Sequence, residues 1–170
     1  MNRFFPTAIA LLAAVILQAA IVPYLAVSRV VPNVVFLVVV TLALVEGPAA
    51  GCASGFVGGL LFDLLGSGVV GPYALVLTVI GYVAGLMQAN MFAEGWLLPV
   101  SVVAVASLAT EISYGIILAI VGAGQPFWAG LLTVMLPGAL YNTVLAVLVY
   151  PWLARLLRRD RTVKSFRRLA

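Results

Sequence analysis

The chain has 170 residues, of which 65 % are hydrophobic and only 8 % charged, with a formal net charge of +4. At a mean hydropathy of +1.23 a water-soluble globule could not cover its apolar surface, so the bilayer is the solvent it is built for. With no histidine and a single cysteine, Cys52, an internal disulfide, a His/Cys zinc site and Ser-His or Cys-His catalysis are all excluded.

The first apolar run extends from Phe4 to Val27 and is broken only by Gln18. It is longer than the 7–15 residues of a usual signal-peptide core. It is therefore expected to be a retained helix, although a cleaved leader would leave the later spans oriented identically. Arg29 sits in the turn that follows. Pro32-Asn33 opens a second run to Val45, with Val38 expected to face lipid. Glu46-Gly47-Pro48 interrupts it, and a glycine-rich third run covers Ala49 to Leu65. These two are short, roughly 20 and 25 Å as helices against a hydrocarbon core of about 30 Å. They fit either two short buried helices or a re-entrant pair. Gly66-Ser67-Gly68 makes a turn, and the fourth run goes from Gly71 to Ala89. The loop 90–95 holds Glu94, the fifth run is Trp96 to Val121, and a turn through Gln125-Pro126 leads to the sixth, Phe127 to Leu153. Pro137-Gly138 is expected to interrupt that last run and Pro151 to end it. Trp96, Trp128, Tyr150 and Trp152 stand near the expected ends, where interfacial aromatics belong.

The chain thus reads as an all-α polytopic membrane protein of about six transmembrane helices. Residues 1–154 form the transmembrane domain and 155–170 a basic cytoplasmic tail. Seven of the nine basic residues lie in that tail (Arg155, Arg158, Arg159, Arg161, Lys164, Arg167 and Arg168), with Arg3 and Arg29 elsewhere. Such a tail sets topology and touches anionic lipid rather than nucleic acid. Six spans then place both termini in the cytoplasm and leave only Arg29 outside.

Gly51, Gly55, Gly59 and Asp63 recur at four-residue spacing, which makes one slowly drifting helical stripe, widened by Gly58. Small residues at this spacing let helix backbones approach closely where lipid supplies no hydrophobic drive for association. The stripe can serve internal packing, a partner's helix or a solute pocket. Asp63 reads as an interfacial acid that ends its helix, or as a structural or partner-pairing acid. Glu111 lies near the centre of the fifth run among Thr110, Ser113 and Tyr114, and Asn142 lies in the sixth. Both need polar partners within the bundle, so they read as an internal clasp, a substrate or ion contact, or a partner contact. Asp63 and Glu111 have unlike surroundings and do not read as a catalytic pair. No enzyme, cofactor or metal is expected.

The segments Pro32-Asn33-Val34-Val35-Phe36, Glu46-Gly47-Pro48, Gly51, Gly55-Phe56, Gly58-Gly59-Leu60-Leu61-Phe62-Asp63-Leu64, Gly71-Pro72-Tyr73-Ala74-Leu75 and Gly81-Tyr82-Val83-Ala84-Gly85 together resemble the rod shape-determining MreD family. Asn142 and Tyr150-Pro151-Trp152-Leu153 before the basic tail fit as well, and length and span count match over the whole chain. One departure is visible: the family commonly carries Pro-Asp where this chain has Pro32-Asn33, although asparagine can still cap a helix. The resemblance implies a non-enzymatic inner-membrane subunit of the elongation machinery. It implies an MreC-like scaffold as partner, and a place beside the MreB filament, the SEDS-family glycan polymerase and a class-B penicillin-binding protein. It also implies a fold similar to the S-component of energy-coupling-factor transporters. That likeness supplies the alternative of a solute-binding transporter subunit, with Ala10 and Ala14 as a docking face. An ion-coupled transporter would rest on Glu111 alone.

The topology is checked by cysteine labelling. A thiol placed at Ser67 should react with an impermeant reagent added outside the cell and one placed at Ser165 should not; labelling of Ser165 from outside overturns the orientation.

Overall fold

A computed structural model describes residues 4–26, 30–87, 97–123 and 127–166, and only the backbone at 4–6, 97–98 and 156–166. Arg3, Arg29, the loop 90–95 with Glu94, Trp96, Gln125-Pro126, Arg167 and Arg168 lie outside the described residues. Six helical rods and no strand are present among the described residues. They are α1 (Phe4–Ala20), α2 (Val34–Glu46), α3 (Pro48–Leu65), α4 (Pro72–Leu86), α5 (Leu97–Val121) and α6. The last is built from the consecutive segments Phe127–Gly130, Leu131–Met135 and Leu136–Phe166. Pro48–Leu65, Pro99–Val121 and Phe127–Arg155 are long and apolar enough to cross a membrane, while Thr7–Ala20, Val34–Glu46 and Pro72–Leu86 are shorter apolar helices.

Helix α2 is the axis of the bundle. Its sequence is apolar all round, which marks a helix with no solvent face, and every residue from Val35 to Val45 is buried. It packs against each of the other five helices. The hydroxyl of Thr41, the one polar side chain in that stretch, donates to the Leu37 carbonyl at 2.7 Å and so brings no unsatisfied group into the core. Val38, expected to face lipid, is only 5 % exposed, because α2 is enclosed on every side. The outward faces of the other helices carry large apolar side chains such as Ile16, Val79, Val105 and Leu148, a surface suited to lipid tails.

Two sharp reversals build the core hairpins. Gly47, at φ 96°, ends α2 and starts α3, with Pro48 taking the first helical position. Gly71, at φ 118°, precedes Pro72 at the start of α4 in the same way. Proline is tolerated there because its missing N–H would have had no partner, and the positive φ is cheap only for glycine. The loop 66–71 has the spacing Gly-x-Gly-x-x-Gly, but it follows a helix instead of a strand and so lacks the setting of a dinucleotide fingerprint.

Helices α3 and α4 run antiparallel with backbone against backbone. A Cβ on Gly51 would fall on the carbonyl oxygen of Gly81, and one on Gly81 would fall on that of Gly51. A Cβ on Gly55 would meet the Leu77 carbonyl, on Gly59 the backbone of Ala74, and on Gly85 the backbone of Pro48. The register is therefore 48 opposite 85, 51 opposite 81, 55 opposite 77 and 59 opposite 74. Gly58 faces the other way, toward Leu11, Val35 and Val39 of α1 and α2.

Further details differ from the sequence expectation. Pro137-Gly138 does not interrupt the last run, which stays helical from Phe127 to Phe166 because Pro137 falls in the first turn of its last segment. The helix of the first run ends at Ala20, and a 3-10 turn follows at Val22–Leu25, with Pro23 already breaking the pattern. Pro151 does not end α6, which continues to Phe166; a proline interrupts one ladder bond, and the turns on either side hold the rod together. Of the expected interfacial aromatics, Trp128 and Trp152 are 77 % and 72 % exposed, but Tyr150 is turned inward and 6 % exposed.

The α3–α4 register generates a direct test. Gly55→Leu forces the two backbones apart and should cost about 3 kcal/mol or more, whereas Val83→Leu on the exposed face of α4 should stay within roughly 0.5 kcal/mol. Unfolding of the purified protein in mild detergent measures both, and equal losses contradict the close-packed seam.

Candidate functional site

Asp63 lies at the last turn of α3 and is 5 % exposed. Its Oδ2 accepts from the backbone N–H groups of Gly71 at 2.9 Å, Tyr73 at 3.1 Å and Ala74 at 3.1 Å. The first amides of a helix have no intrahelical partner, and a carboxylate there also meets the positive end of the helix dipole. Asp63 is thus the cap of α4, supplied from the neighbouring helix. The cap fixes the chain reversal between α3 and α4 just beyond the last glycine of the seam.

A second polar cluster surrounds the start of α2. Asn33 Oδ1 accepts from the Phe36 N–H at 2.9 Å, the usual N-cap bond. Its Nδ2 donates to the Tyr73 hydroxyl at 2.6 Å, and its backbone N–H donates to Asn142 Oδ1 at 2.7 Å. Asn142 Nδ2 donates in turn to Ser107 Oγ at 3.1 Å. Gln18 completes the set from α1: its Nε2 donates to the Pro32 carbonyl at 3.2 Å and its Oε1 accepts from the Val34 N–H at 2.8 Å. Five helices meet in this cluster. Ser107 and Asn142 stand near the middle of α5 and α6, so α2 begins at mid-height of the bundle and not at its end. Nearby the Tyr141 hydroxyl donates to the Leu25 carbonyl at 2.9 Å, which ties the segment after α1 to α6.

Tyr73 joins the two clusters. Its N–H is bonded by Asp63 and its hydroxyl by Asn33, while its ring packs on Phe62 (centroids 4.5 Å apart) and edge-on to Tyr114 (5.2 Å).

Glu111 stands apart. It is half-buried on α5, one turn beyond Ser107. Its oxygens face Gly138, where a Cβ would lie 3.4 Å from Oε1. Of its sequence neighbours, Thr110 donates to the Ala106 carbonyl at 2.7 Å, and Ser113 lines a shallow open groove between α4 and α5 shared with Leu75, Val79 and Ile116. Cys52 is half-buried and unpaired. At the other end of the bundle, the Thr7 hydroxyl donates to Glu46 Oε1 at 3.2 Å.

The structure thus brings Asp63 and Asn142 close to one shared residue, Tyr73, through Asn33. It lines Gly51, Gly55 and Gly59 along α4 and leaves Glu111 outside the bonded cluster. The sequence pattern does not single out Ser107, Tyr73 or the role of Gln18. A lone serine or tyrosine in an apolar run carries no periodic signal, but Gln18 is visible as the one interruption of the first run.

These features define a polytopic all-α membrane protein whose interior polar groups are spent largely on one another. A family profile described as rod shape-determining protein MreD matches residues 1–160. The chain belongs to that family, and it is a rod-shape-determining membrane protein. No curated protein and no solved structure matches it.

The capping geometry makes unequal predictions for two conservative changes. Asp63→Ala strands three N–H groups, two of them in buried bonds, and should cost about 2–4 kcal/mol, while Asp63→Asn, which keeps an acceptor oxygen, should lose less than half of that. Asn33→Asp should cost under about 1 kcal/mol, because the Tyr73 hydroxyl can turn from acceptor to donor while the cap on Phe36 persists. Detergent unfolding curves rank the three variants, and a neutral Asp63→Ala contradicts the capping role.

Proposed function

We propose that this chain is a non-enzymatic subunit of the bacterial cell-elongation machinery, which binds an MreC-like scaffold in the plasma membrane and supports peptidoglycan synthesis at its site. The observation that carries the reading is the family match over residues 1–160. The way the polar side chains are used supports the non-enzymatic part. Asp63 is committed to three backbone amides, and Asn33 and Asn142 to one another and their neighbours. A catalytic acid needs free approach to substrate, and a group so bonded does not have it.

On this reading both termini are cytoplasmic, residues 1–154 form the membrane domain and residues 155–170 a basic tail along anionic lipid. The MreB filament, the SEDS-family glycan polymerase and the class-B penicillin-binding protein are neighbours in the same assembly. The S-component-like fold is part of the same inference. The alternative, a solute-binding subunit, has less behind it: the groove between α4 and α5 is open and its walls are apolar side chains with Ser113 among them. A polar solute needs several convergent polar groups.

The test is native co-purification in mild detergent from a rod-shaped host, combined with depletion. The expected outcome is recovery of an MreC-like protein with the tagged chain and rounding of depleted cells. Recovery of a transport ATPase instead, with rod shape intact after depletion, overturns the proposal.

A further inference from the structure

The helices of this bundle differ in length. Helix α3 has 18 residues and α4 has 15, which makes them about 27 and 22 Å long. The spans Pro99–Val121 of α5 and Phe127–Arg155 of α6 have 23 and 29 residues, or about 34 and 43 Å. A hydrocarbon core is about 30 Å thick. The long pair overspans it, while α3 and α4 fall short even when upright. Glu46, the last residue of α2, adjoins the start of α3. It holds that end of the α3–α4 hairpin at one headgroup boundary, because a charge deeper in the core is costly. The loop 66–71 at the opposite end then stops short of the other boundary of an unperturbed bilayer.

The composition of the loop suits that level. No charged residue occurs between Asp63 and Glu94. Val69 and Val70 are exposed, as are Leu64 and Leu65 just before the loop and Leu75 just after it. These five form an apolar collar where a loop in water would carry polar side chains. The amides at the two ends of the loop are bonded, the Gly66 N–H to the Phe62 carbonyl at 3.2 Å and the Gly71 N–H to Asp63 Oδ2 at 2.9 Å. The turn between them is neither helix nor strand, so its peptide groups belong beside hydrated headgroups and not in the hydrocarbon. The exposed turn after α5, with Ala123, ends a rod of 25 residues, about 10 Å longer than α3.

We propose that residues 64–75, at this end of the α3–α4 hairpin, are a lipid anchor that thins the adjacent leaflet. Val69 and Val70 enter the boundary between acyl chains and headgroups. The leaflet is drawn in beside α3 and α4 and keeps its full thickness beside α5 and α6. Two observations make lipid the occupant. The helices are too short for the core by a margin that bilayers meet by thinning, at a modest cost per ångström, and the collar is uncharged and aliphatic. Ser67, polar and exposed, stays at the hydrated headgroup level. The inference concerns lipid alone and does not depend on which proteins the chain binds.

The test is depth-dependent fluorescence quenching of the full-length chain in phosphatidylcholine bilayers. In a Cys52→Ser background, Val70→Cys and Ala123→Cys each carry a thiol-linked fluorophore. The quenchers are iodide in the water and phospholipids with a nitroxide near either the ester end or the methyl end of the acyl chain. At Val70 the shallow nitroxide should quench more than iodide, and at Ala123 the order should reverse. As the acyl chains lengthen from about 14 to about 22 carbons, the ratio of shallow to deep quenching at Val70 should stay within roughly twofold, because the leaflet follows the protein. A ratio that moves steadily toward the deep nitroxide overturns the thinning. Iodide quenching at Val70 as strong as at Ala123, or protection from all three quenchers, overturns the anchor. If the Val70 conjugate fails to fold, the same measurements at Val69→Cys decide.

Discussion

The fold depends on satisfying the buried first turns of α2 and α4. A helix start leaves amide groups without intrahelical partners, and in a membrane interior there is no water to take them up. α2 begins at mid-height of the bundle, and Pro72, Tyr73 and Ala74 at the start of α4 are buried. Asn33 caps α2 from within its own chain segment, and Asp63 caps α4 from the end of α3. Each cap then reaches further: Asn33 to Tyr73 and Asn142, Asn142 to Ser107, Gln18 to the peptide groups on either side of Asn33. The cost of an unpaired amide in a low-dielectric interior makes this network specific. It joins all six helices, since Tyr73 carries a bond from both caps.

With the starts of α2 and α4 pinned, the α3–α4 seam can close. The glycines there remove the Cβ atoms that would hold the backbones apart, and dispersion and weak Cα–H···O contacts act over the whole seam. The hub fixes position and the seam supplies contact area. Glu111, packed against Gly138 of α6, lies outside this bonded network.

Much of this is legible in the amino-acid sequence. The apolar runs mark the helices, Pro32-Asn33, Gly47-Pro48 and Gly71-Pro72 mark their starts, and the four-residue glycine spacing marks a face for close approach. Asn33 is visible as a residue able to cap. The partners of those features are not visible. Val38 reads as lipid-facing because an all-apolar helix looks the same whether lipid or protein surrounds it; its burial follows from five neighbours that close around α2. Asp63 reads as the end of α3, and its service to α4 depends on the turn at 66–71 folding back over it. Pro151 reads as a stop, but a proline within a long rod is decided by the turns flanking it.

Composition and local pattern are enough to settle the solvent, the helical class, the places where helices begin and the family resemblance, because these depend on hydrophobicity, proline and glycine geometry and short-range capping. Only the assembled bundle decides which helix is central, which glycines oppose which carbonyls, and which polar groups are bonded and which is left over. Those outcomes depend on contacts between residues up to 116 positions apart, as for Leu25 and Tyr141. In a chain this uniformly apolar, the linear pattern carries little information about which faces meet.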